Sequence, residues 1–175
     1  VGSIVSQWAA HIGAIVIGIV STDDKAKLAK AQGCAHVIMA DDDDIPAKVK
    51  ALTDGSGVAA VYDSVGKDTF MTSLDCLRPH GTMVTFGNAS GPVEPFSPLE
   101  LSKRGSLYVT RPTLYDFIAT RSKLLSACDE LFAFLAQSGA TIRIGQTYPL
   151  EDAAQAHRDL EARKTTGATI LVPGG

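Results

Sequence analysis

A helix followed at once by a short, fully apolar strand opens the chain. Ile4, Trp8 and Ile12 recur every fourth residue and predict one buried face on a helix over residues 3–12. Residues 14–20 are apolar and rich in β-branched side chains, as is typical of a strand buried in a parallel sheet. Such a pair is typical of the second half of a βαβ nucleotide-binding unit, whose first strand and leading glycines precede the helix. We therefore expect the sequence to begin inside its own cofactor loop.

Strand-like and helix-like segments alternate along the rest of the chain. Short apolar runs predict strands, at residues 36–39, 58–62, 82–86, 106–110, 142–144 and 168–172. Capping residues and apolar spacing predict five further helices. They lie at residues 22–32, after the acidic run 41–44, from Phe70 to Leu77, along 124–135 and at 150–162. The third of them is broken by Pro79-His80-Gly81. This order predicts an α/β fold with a Rossmann-type, doubly wound parallel sheet. We expect residues 1–140 to form the nucleotide-binding domain and residues 141–175 to return towards a separate catalytic domain.

Charge, hydropathy and cysteine usage exclude several classes of function. The net charge of −3 gives no reason to expect nucleic acid or an anionic membrane as a partner. The longest apolar run, residues 14–20, is far shorter than a membrane span requires. The three cysteines are widely spaced and never form a C-x-x-C motif, and the four histidines are scattered along the chain, so we expect no disulfide framework and no metal site. A cytoplasmic location is expected.

The carboxyl ends of the predicted strands carry small, mostly uncharged residues. Open α/β sheets bind ligands beyond these ends, where small residues allow close approach of a flat ligand. The ends with this character are residues 20–22, 62–66, 86–90 and 110–112. Turn-forming residues are also the ordinary expectation at a strand end, so that alternative remains open for each of them.

The residues after the second strand of the unit bear on the choice of cofactor. Proteins that bind NAD place an acid there to bond the ribose 2′-hydroxyl, whereas proteins that bind NADP use small or basic groups. Ser21 and Thr22 are uncharged and Lys25 follows one helical turn later, which favours NADPH. Asp23 and Asp24 either begin the next helix, where acids are favoured, or take the role seen with NAD.

Three segments carry a resemblance to a known family. Residues 62–69 (YDSVGKDT), 81–91 (GTMVTFGNASG) and 105–114 (GSLYVTRPTL) resemble the NADPH:quinone oxidoreductases. These are the ζ-crystallin-like, zinc-free branch of the medium-chain dehydrogenases. Residues 148–157 are similar to the closing segment of the same family, so the resemblance covers nearly the whole chain.

The resemblance implies hydride transfer from NADPH to a quinone. It places cofactor contacts at Val1 and Gly2 in the pyrophosphate loop, Ser21 and Lys25 at the adenosine phosphate, Ser64 at the ribose, and Phe86, Gly87, Asn88, Ala89, Thr110, Arg111 and Pro112 on the nicotinamide side. Most of the quinone pocket belongs to an N-terminal GroES-like domain that the resemblance places upstream, so no catalytic residue is assigned here. One departure is Ala40, where many members have a tyrosine that bonds the 2′-phosphate.

The resemblance also implies a homodimer. Residues 106–110 are apolar and form the last predicted strand of the sheet, and an unprotected edge strand is a template for pairing with a second copy. Two other functions remain open: a relative of the zinc-dependent alcohol dehydrogenases, and a nucleotide-binding protein without catalytic activity. The sequence does not specify the physiological substrate.

Overall fold

Helices and parallel strands alternate along the chain. The structure is a computed structural model that describes residues 1–162 and 164–174. The helices are α1 (Gly2–His11), α2 (Asp23–Ala31), α3 (Ile45–Ala51), α4 (Phe70–Asp75), α5 (Leu99–Lys103), α6 (Leu114–Phe117), α7 (Arg121–Ser138) and α8 (Ala153–Glu161), with a 3₁₀ turn at Leu150–Asp152. The strands are β1 (Val16–Val20), β2 (Cys34–Met39), β3 (Val58–Asp63), β4 (Leu77–Thr85), β5 (Tyr108–Thr110), β6 (Ile144–Pro149) and β7 (Ala168–Val172).

All strand pairings within the described residues are parallel. β1 pairs with β2, β6 pairs with β7, and β4 lies between β3 and β5. Contacts group the chain into two compact units, unit 1 (residues 1–39 and 130–175) and unit 2 (residues 40–129). The predicted boundary at residue 140 concerns packing against a domain outside this chain, and it stays a prediction.

The core of unit 2 lies between α4 and its three strands. Its buried members are Phe70, Leu74, Leu77, Met83 and Leu107. Leu74 and Met83 are completely enclosed, and burial of side chains of this size stabilises a fold by about 1.5–3 kcal/mol each. This core fixes α4 and the carboxyl ends of β3 and β4, the part of unit 2 that carries predicted site residues.

An aromatic stack holds the two chain segments of unit 1 together. The rings of Trp8 on α1 and Phe134 on α7 are stacked with centroids 4.7 Å apart, and His11 meets Phe134 edge-on at 5.6 Å. The Gln7 side chain donates to the Thr141 carbonyl oxygen at 3.1 Å and accepts from the Thr141 N–H at 2.9 Å. Trp8 was predicted to face a core, and its partner is this second segment.

Two helix starts are confirmed in detail. Thr22 caps α2, and its hydroxyl accepts from the Lys25 N–H at 3.3 Å. Asp44 caps α3 by accepting from the Ala47 N–H at 2.9 Å, and Pro46 lies in the first turn. The acidic run before α3 therefore serves a helix start, as its sequence predicts.

The structure corrects the predicted helix ending near Pro79. Leu77 lies in β4 rather than in α4, because it pairs with Val58 and packs in the core. The pairing then jumps to Ala60 with Thr82, so residues 78–81 form an irregular insertion inside the strand. His80 has a φ of +59° there. The proline and glycine thus interrupt a strand, not a helix.

Smaller differences concern other boundaries. The predicted strand at residues 142–144 is β6, which begins at Ile144 and pairs with β7 through residues 144–149. β5 is shorter than predicted, and it is one of the two outer strands of its sheet, with β3 the other. The short helices α5 and α6 were not predicted. None of the helices in the described part of the chain has the length and apolarity needed to cross a membrane.

Candidate functional site

Two loops of unit 2 follow the carboxyl ends of β3 and β4. We call residues 64–69 loop A and residues 86–91 loop B. Backbone N–H groups donate between them, from Ala89 to the Ser64 oxygen (3.2 Å), from Ser90 to the Val65 oxygen (2.8 Å) and from Lys67 to the Gly91 oxygen (3.1 Å). The Ser90 hydroxyl adds bonds to the Val65 oxygen (2.9 Å) and from the Asp68 N–H (3.1 Å). The two loops therefore form one hydrogen-bonded surface.

Close backbone approach between the loops requires glycine at two positions. Gly66 has a φ of +92°, and a Cβ there would lie 2.7 Å from the Gly91 oxygen. A Cβ on Gly87 would overlap the carbonyl oxygen of Ser64. Any larger residue would push the loops apart, so these glycines set the spacing between loops A and B.

A buried carboxylate lies beneath loop A. Asp63, the last residue of β3, is only 5% exposed. It accepts four hydrogen bonds: Oδ1 from the N–H groups of Val65 (2.7 Å) and Gly66 (3.2 Å), and Oδ2 from the hydroxyls of Thr69 (2.7 Å) and Ser73 (3.3 Å). These bonds offset the cost of burying a charged group.

Sequence reasoning did not single out Asp63. An aspartate at a strand end is an ordinary turn former, and nothing in the local sequence marks it as buried. The available signal was the pair of hydroxyl residues Thr69 and Ser73, which follow Asp63 by six and ten positions. These two residues are four apart, so they lie on the same side of a helix.

The predicted site residues of unit 2 lie at the surface of these strand ends. Ser64, Asn88 and Ala89 are exposed in loops A and B, and Phe86 and Gly87 are half-buried. After β5, Thr110 and Arg111 are exposed and Pro112 is half-buried. The structure thus brings Ser64 and Ala89 into direct hydrogen-bond contact and leaves the strand-end residues accessible to a ligand. Beneath them, the Thr85 hydroxyl is buried without a partner among the described residues.

The predicted phosphate-binding pair of unit 1 is in contact. The Lys25 ammonium lies 3.1 Å from the Ser21 hydroxyl oxygen, just beyond the end of β1. Asp23 and Asp24 are exposed in the first turn of α2, where Asp24 pairs with Lys27 at 3.2 Å. Neither aspartate is paired with Lys25. A cationic amine and a hydroxyl are therefore available together at this strand end.

Val1 and Gly2 lie at the start of α1. Both residues are exposed, and the Val1 carbonyl oxygen accepts from the N–H groups of Ile4 and Val5 at 3.0 and 3.1 Å. A helix start of this kind presents backbone N–H groups and the positive end of the helix dipole to an anion.

Several shifted pKa values have local causes outside loops A and B. A hydrogen bond from Lys48 lowers the pKa of Asp42, and a hydrogen bond from Arg104 lowers the pKa of Glu100. Burial raises the pKa of the Cys76 thiol to about 11. These shifts follow from ion pairs and core packing.

The positions of possible metal ligands are known for the side chains that the structure describes. Within residues 1–162 and 164–174, no three His, Cys, Asp or Glu side chains come close enough together to hold an ion. The described residues therefore do not fit a zinc ion. That the complete protein is free of zinc stays a prediction.

Comparison with known proteins identifies clear relatives. The sequence pattern of the family described as zinc-binding dehydrogenase matches residues 1–137. The chain is 47% identical over 173 residues to a quinone oxidoreductase of Pseudomonas aeruginosa, covering 99% of this chain and 53% of the relative. It is 42% identical over 173 residues to a 2-haloacrylate reductase of a Burkholderia species, covering 98% and 52%.

A solved structure matches the fold. It is the crystal structure of Escherichia coli quinone oxidoreductase complexed with NADPH, with a TM-score of 0.91, 44% identity, and coverage of 98% of this chain and 53% of that one. This likeness confirms the predicted Rossmann-type α/β fold. The chain spans about half the length of the relatives it matches.

Proposed function

Because the chain belongs to the zinc-binding dehydrogenase family, we propose that it forms the NADPH-binding part of a quinone reductase. The observation that carries the proposal is the likeness, over 98% of this chain, to a quinone oxidoreductase solved with NADPH. The substrate is a quinone, which accepts a hydride and a proton to give the hydroquinone. The protein is further proposed to be cytoplasmic and free of zinc.

Unit 1 offers groups suited to the phosphates of NADPH. Lys25 and Ser21 are proposed to bind the adenosine 2′-phosphate, since an ammonium and a hydroxyl 3.1 Å apart can both donate to one phosphate. The backbone at Val1 and Gly2 is proposed to face the pyrophosphate at the start of α1. Thr22 supports this choice of cofactor, because it caps α2 in a place where NAD-binding proteins carry an acid.

Unit 2 offers a surface suited to a ribose and a nicotinamide. Ser64 is proposed to bond the ribose, and the residues of the nicotinamide side are proposed to be Phe86, Gly87, Asn88, Ala89, Thr110, Arg111 and Pro112. Support comes from the exposure of Ser64, Asn88, Ala89, Thr110 and Arg111 at adjacent strand ends. The glycines at 66 and 87 keep the backbone compact there, so loops A and B present a fixed wall.

In this proposal the chain acts by binding and orientation. NADPH, when bound, supplies the hydride. The residues of this chain hold its phosphates and its ribose, which fixes the position of the transferring carbon relative to the acceptor. No side chain of this chain is proposed to transfer a proton, and residues 1–140 are proposed as the cofactor-binding domain.

A second acceptor is favoured by a specific observation. The chain is 42% identical to a 2-haloacrylate reductase, close to its identity with the quinone oxidoreductases. An activated alkene of that class would accept hydride from the same cofactor at carbon. The two acceptors are distinguished by kcat/KM, not by cofactor binding.

The complete protein tests the proposal. NADPH oxidation is followed with 1,4-benzoquinone, 1,4-naphthoquinone or 2-chloroacrylate as acceptor, and zinc content is measured on the same preparation. We expect turnover with a quinone and less than one zinc per chain. Turnover with 2-chloroacrylate alone would favour the second acceptor. Tight NADPH binding without turnover of either class would favour a binding protein, and stoichiometric zinc with alcohol oxidation would favour an alcohol dehydrogenase.

A further inference from the structure

We propose that Asp63 is a positioning residue for NADPH, acting through loops A and B. The inference rests on the proposed function and extends it to a residue that does not itself touch the cofactor. Its carboxylate joins helix α4 to loop A, which carries Ser64. Loop A in turn is hydrogen-bonded to loop B, which carries Asn88 and Ala89.

The two carboxylate oxygens of Asp63 face different elements. Oδ2 accepts from the hydroxyls of Thr69 and Ser73, at the start and within the first turns of α4. Oδ1 accepts from the N–H groups of Val65 and Gly66 in loop A. Because α4 is held by the buried side chains Phe70 and Leu74, the carboxylate transmits the position of a fixed helix to a loop.

Loop A in turn fixes loop B. The carbonyl oxygens of Ser64 and Val65 accept from the N–H groups of Ala89 and Ser90, at 3.2 and 2.8 Å. Val65 and Gly66, which follow Ser64, are thus bound by Asp63, and Ser64 and Val65 are bound by loop B. Removing the carboxylate releases two N–H groups of loop A from their partner and loosens both loops.

A purely structural role would have a different signature. The core of unit 2 consists of apolar side chains that do not include Asp63, so the fold retains its main source of stability without the carboxylate. What the four hydrogen bonds determine is the backbone path from residue 63 to residue 69. The loss of the Asp63 carboxylate should therefore weaken NADPH binding more than it lowers the free energy of unfolding.

The test compares Asp63→Ala with Asp63→Asn in the complete protein. Asparagine keeps an oxygen for the two N–H groups, and its amide can donate to hydroxyl oxygens, so it preserves most of the arrangement. We expect Asp63→Ala to raise the Kd and KM for NADPH about tenfold or more, with the KM for the quinone little changed. Asp63→Asn should stay within about threefold of the wild type.

Asp75→Ala serves as the matched control. Asp75 is a carboxylate at the end of α4 that pairs with Arg104 at 2.7 Å and contacts neither loop. Its removal should lower the melting temperature and leave the Kd for NADPH unchanged. A second readout is hydrogen exchange without cofactor, in which the peptide containing Val65 and Gly66 should exchange faster in Asp63→Ala and not in Asp75→Ala.

The possible outcomes separate this inference from the proposed function. If wild type binds no NADPH, both are wrong. If wild type binds and turns over NADPH and Asp63→Ala binds it equally well, only the positioning role is wrong. If Asp63→Ala fails to fold, the double variant Thr69→Val/Ser73→Ala is measured instead, because it removes both donors to Oδ2. If that variant keeps the NADPH affinity and the hydrogen-exchange rate of the wild type, the inference is overturned.

Discussion

The side-chain ammonium of Lys25 lies 3.1 Å from the hydroxyl oxygen of Ser21, across one turn at the start of α2. The contact places a cation beside the end of β1, while Asp24 in the same turn pairs with Lys27. A phosphate on the ribose of a bound cofactor could therefore accept hydrogen bonds from both the Lys25 ammonium and the Ser21 hydroxyl.

Lys25→Ala should therefore abolish most of the preference for NADPH. In the complete protein we expect kcat/KM for NADPH to fall about tenfold, equivalent to about 1.4 kcal/mol, with kcat/KM for NADH nearly unchanged. The control is Lys27→Ala, on the same helix, whose ammonium pairs with Asp24. An equal loss with both cofactors would show that Lys25 supports the fold and does not recognise phosphate.

Gly66→Ala should destabilise the protein more than Gly55→Ala. Both glycines have positive φ, +92° and +83°, but a Cβ at Gly66 meets the Gly91 oxygen whereas one at Gly55 meets no atom within 4 Å. We expect urea unfolding to show losses of about 1 kcal/mol for Gly55→Ala and about 3 kcal/mol for Gly66→Ala. Equal losses would mean that the contact between loops A and B is looser than the structure shows.

A homodimer through β5 is a further prediction. β5 is one of the two outer strands of its sheet, and Tyr108 on it is 61% exposed. Tyr108→Lys introduces a charge that disfavours edge-to-edge pairing, so light scattering should show a monomer. Tyr115→Lys is the control, because Tyr115 is also exposed, at 78%, but lies in α6. A concentration-independent monomer for wild type would contradict edge pairing.

Cys76 and Cys128 should differ in reactivity. Burial raises the pKa of Cys76 to about 11, so at pH 8 only about one thiol in a thousand is ionised. Cys128 is half-buried. Iodoacetamide at pH 8, followed by peptide mapping, should label Cys128 well before Cys76, and urea should abolish the difference. Equal labelling without urea would show that α4 opens readily.

The ionised Glu100 side chain should stabilise the fold, and this contribution should be lost in acid. Hydrogen bonds from Arg104, and then from Lys103, lower its pKa below the ordinary 4.5. A lowered folded pKa stabilises the fold above pH 4.5, and this contribution is lost as the pH falls through the folded value. The melting temperature should therefore fall less steeply below pH 4.5 in Glu100→Gln than in wild type. An equal slope in the two proteins would contradict this role of Glu100.

The sequence predicts those parts of the fold whose signals are local. Thr22 and Asp44 carry their own capping signals, and both cap the helices expected of them. Leu77 has helical spacing from Phe70 and Leu74, but its place is decided by pairing with Val58, which is not visible in a window of neighbouring residues. Helix α5 was missed because its five residues are too few for a periodic signal, and Arg104 holds it through side-chain bonds to Glu100 and Asp75.

The candidate site divides in the same way. Exposed small residues at strand ends, such as Ser64 and Asn88, are recognisable from their position after an apolar run. The direct contact of Lys25 with Ser21 follows from their spacing of four on a helix start. Asp63 was not recognised, because its importance comes from burial and from four donors that only the folded chain brings together.

The chain makes unit 1 from its two ends and unit 2 from its middle. Gln7 and Thr141, which bind each other in unit 1, are 134 positions apart in the sequence. On a translating ribosome the whole of unit 2 is synthesised before the second segment of unit 1, and domains fold as units while synthesis proceeds. Trp8 therefore gains its stacking partner Phe134 only after the whole of unit 2 has been synthesised.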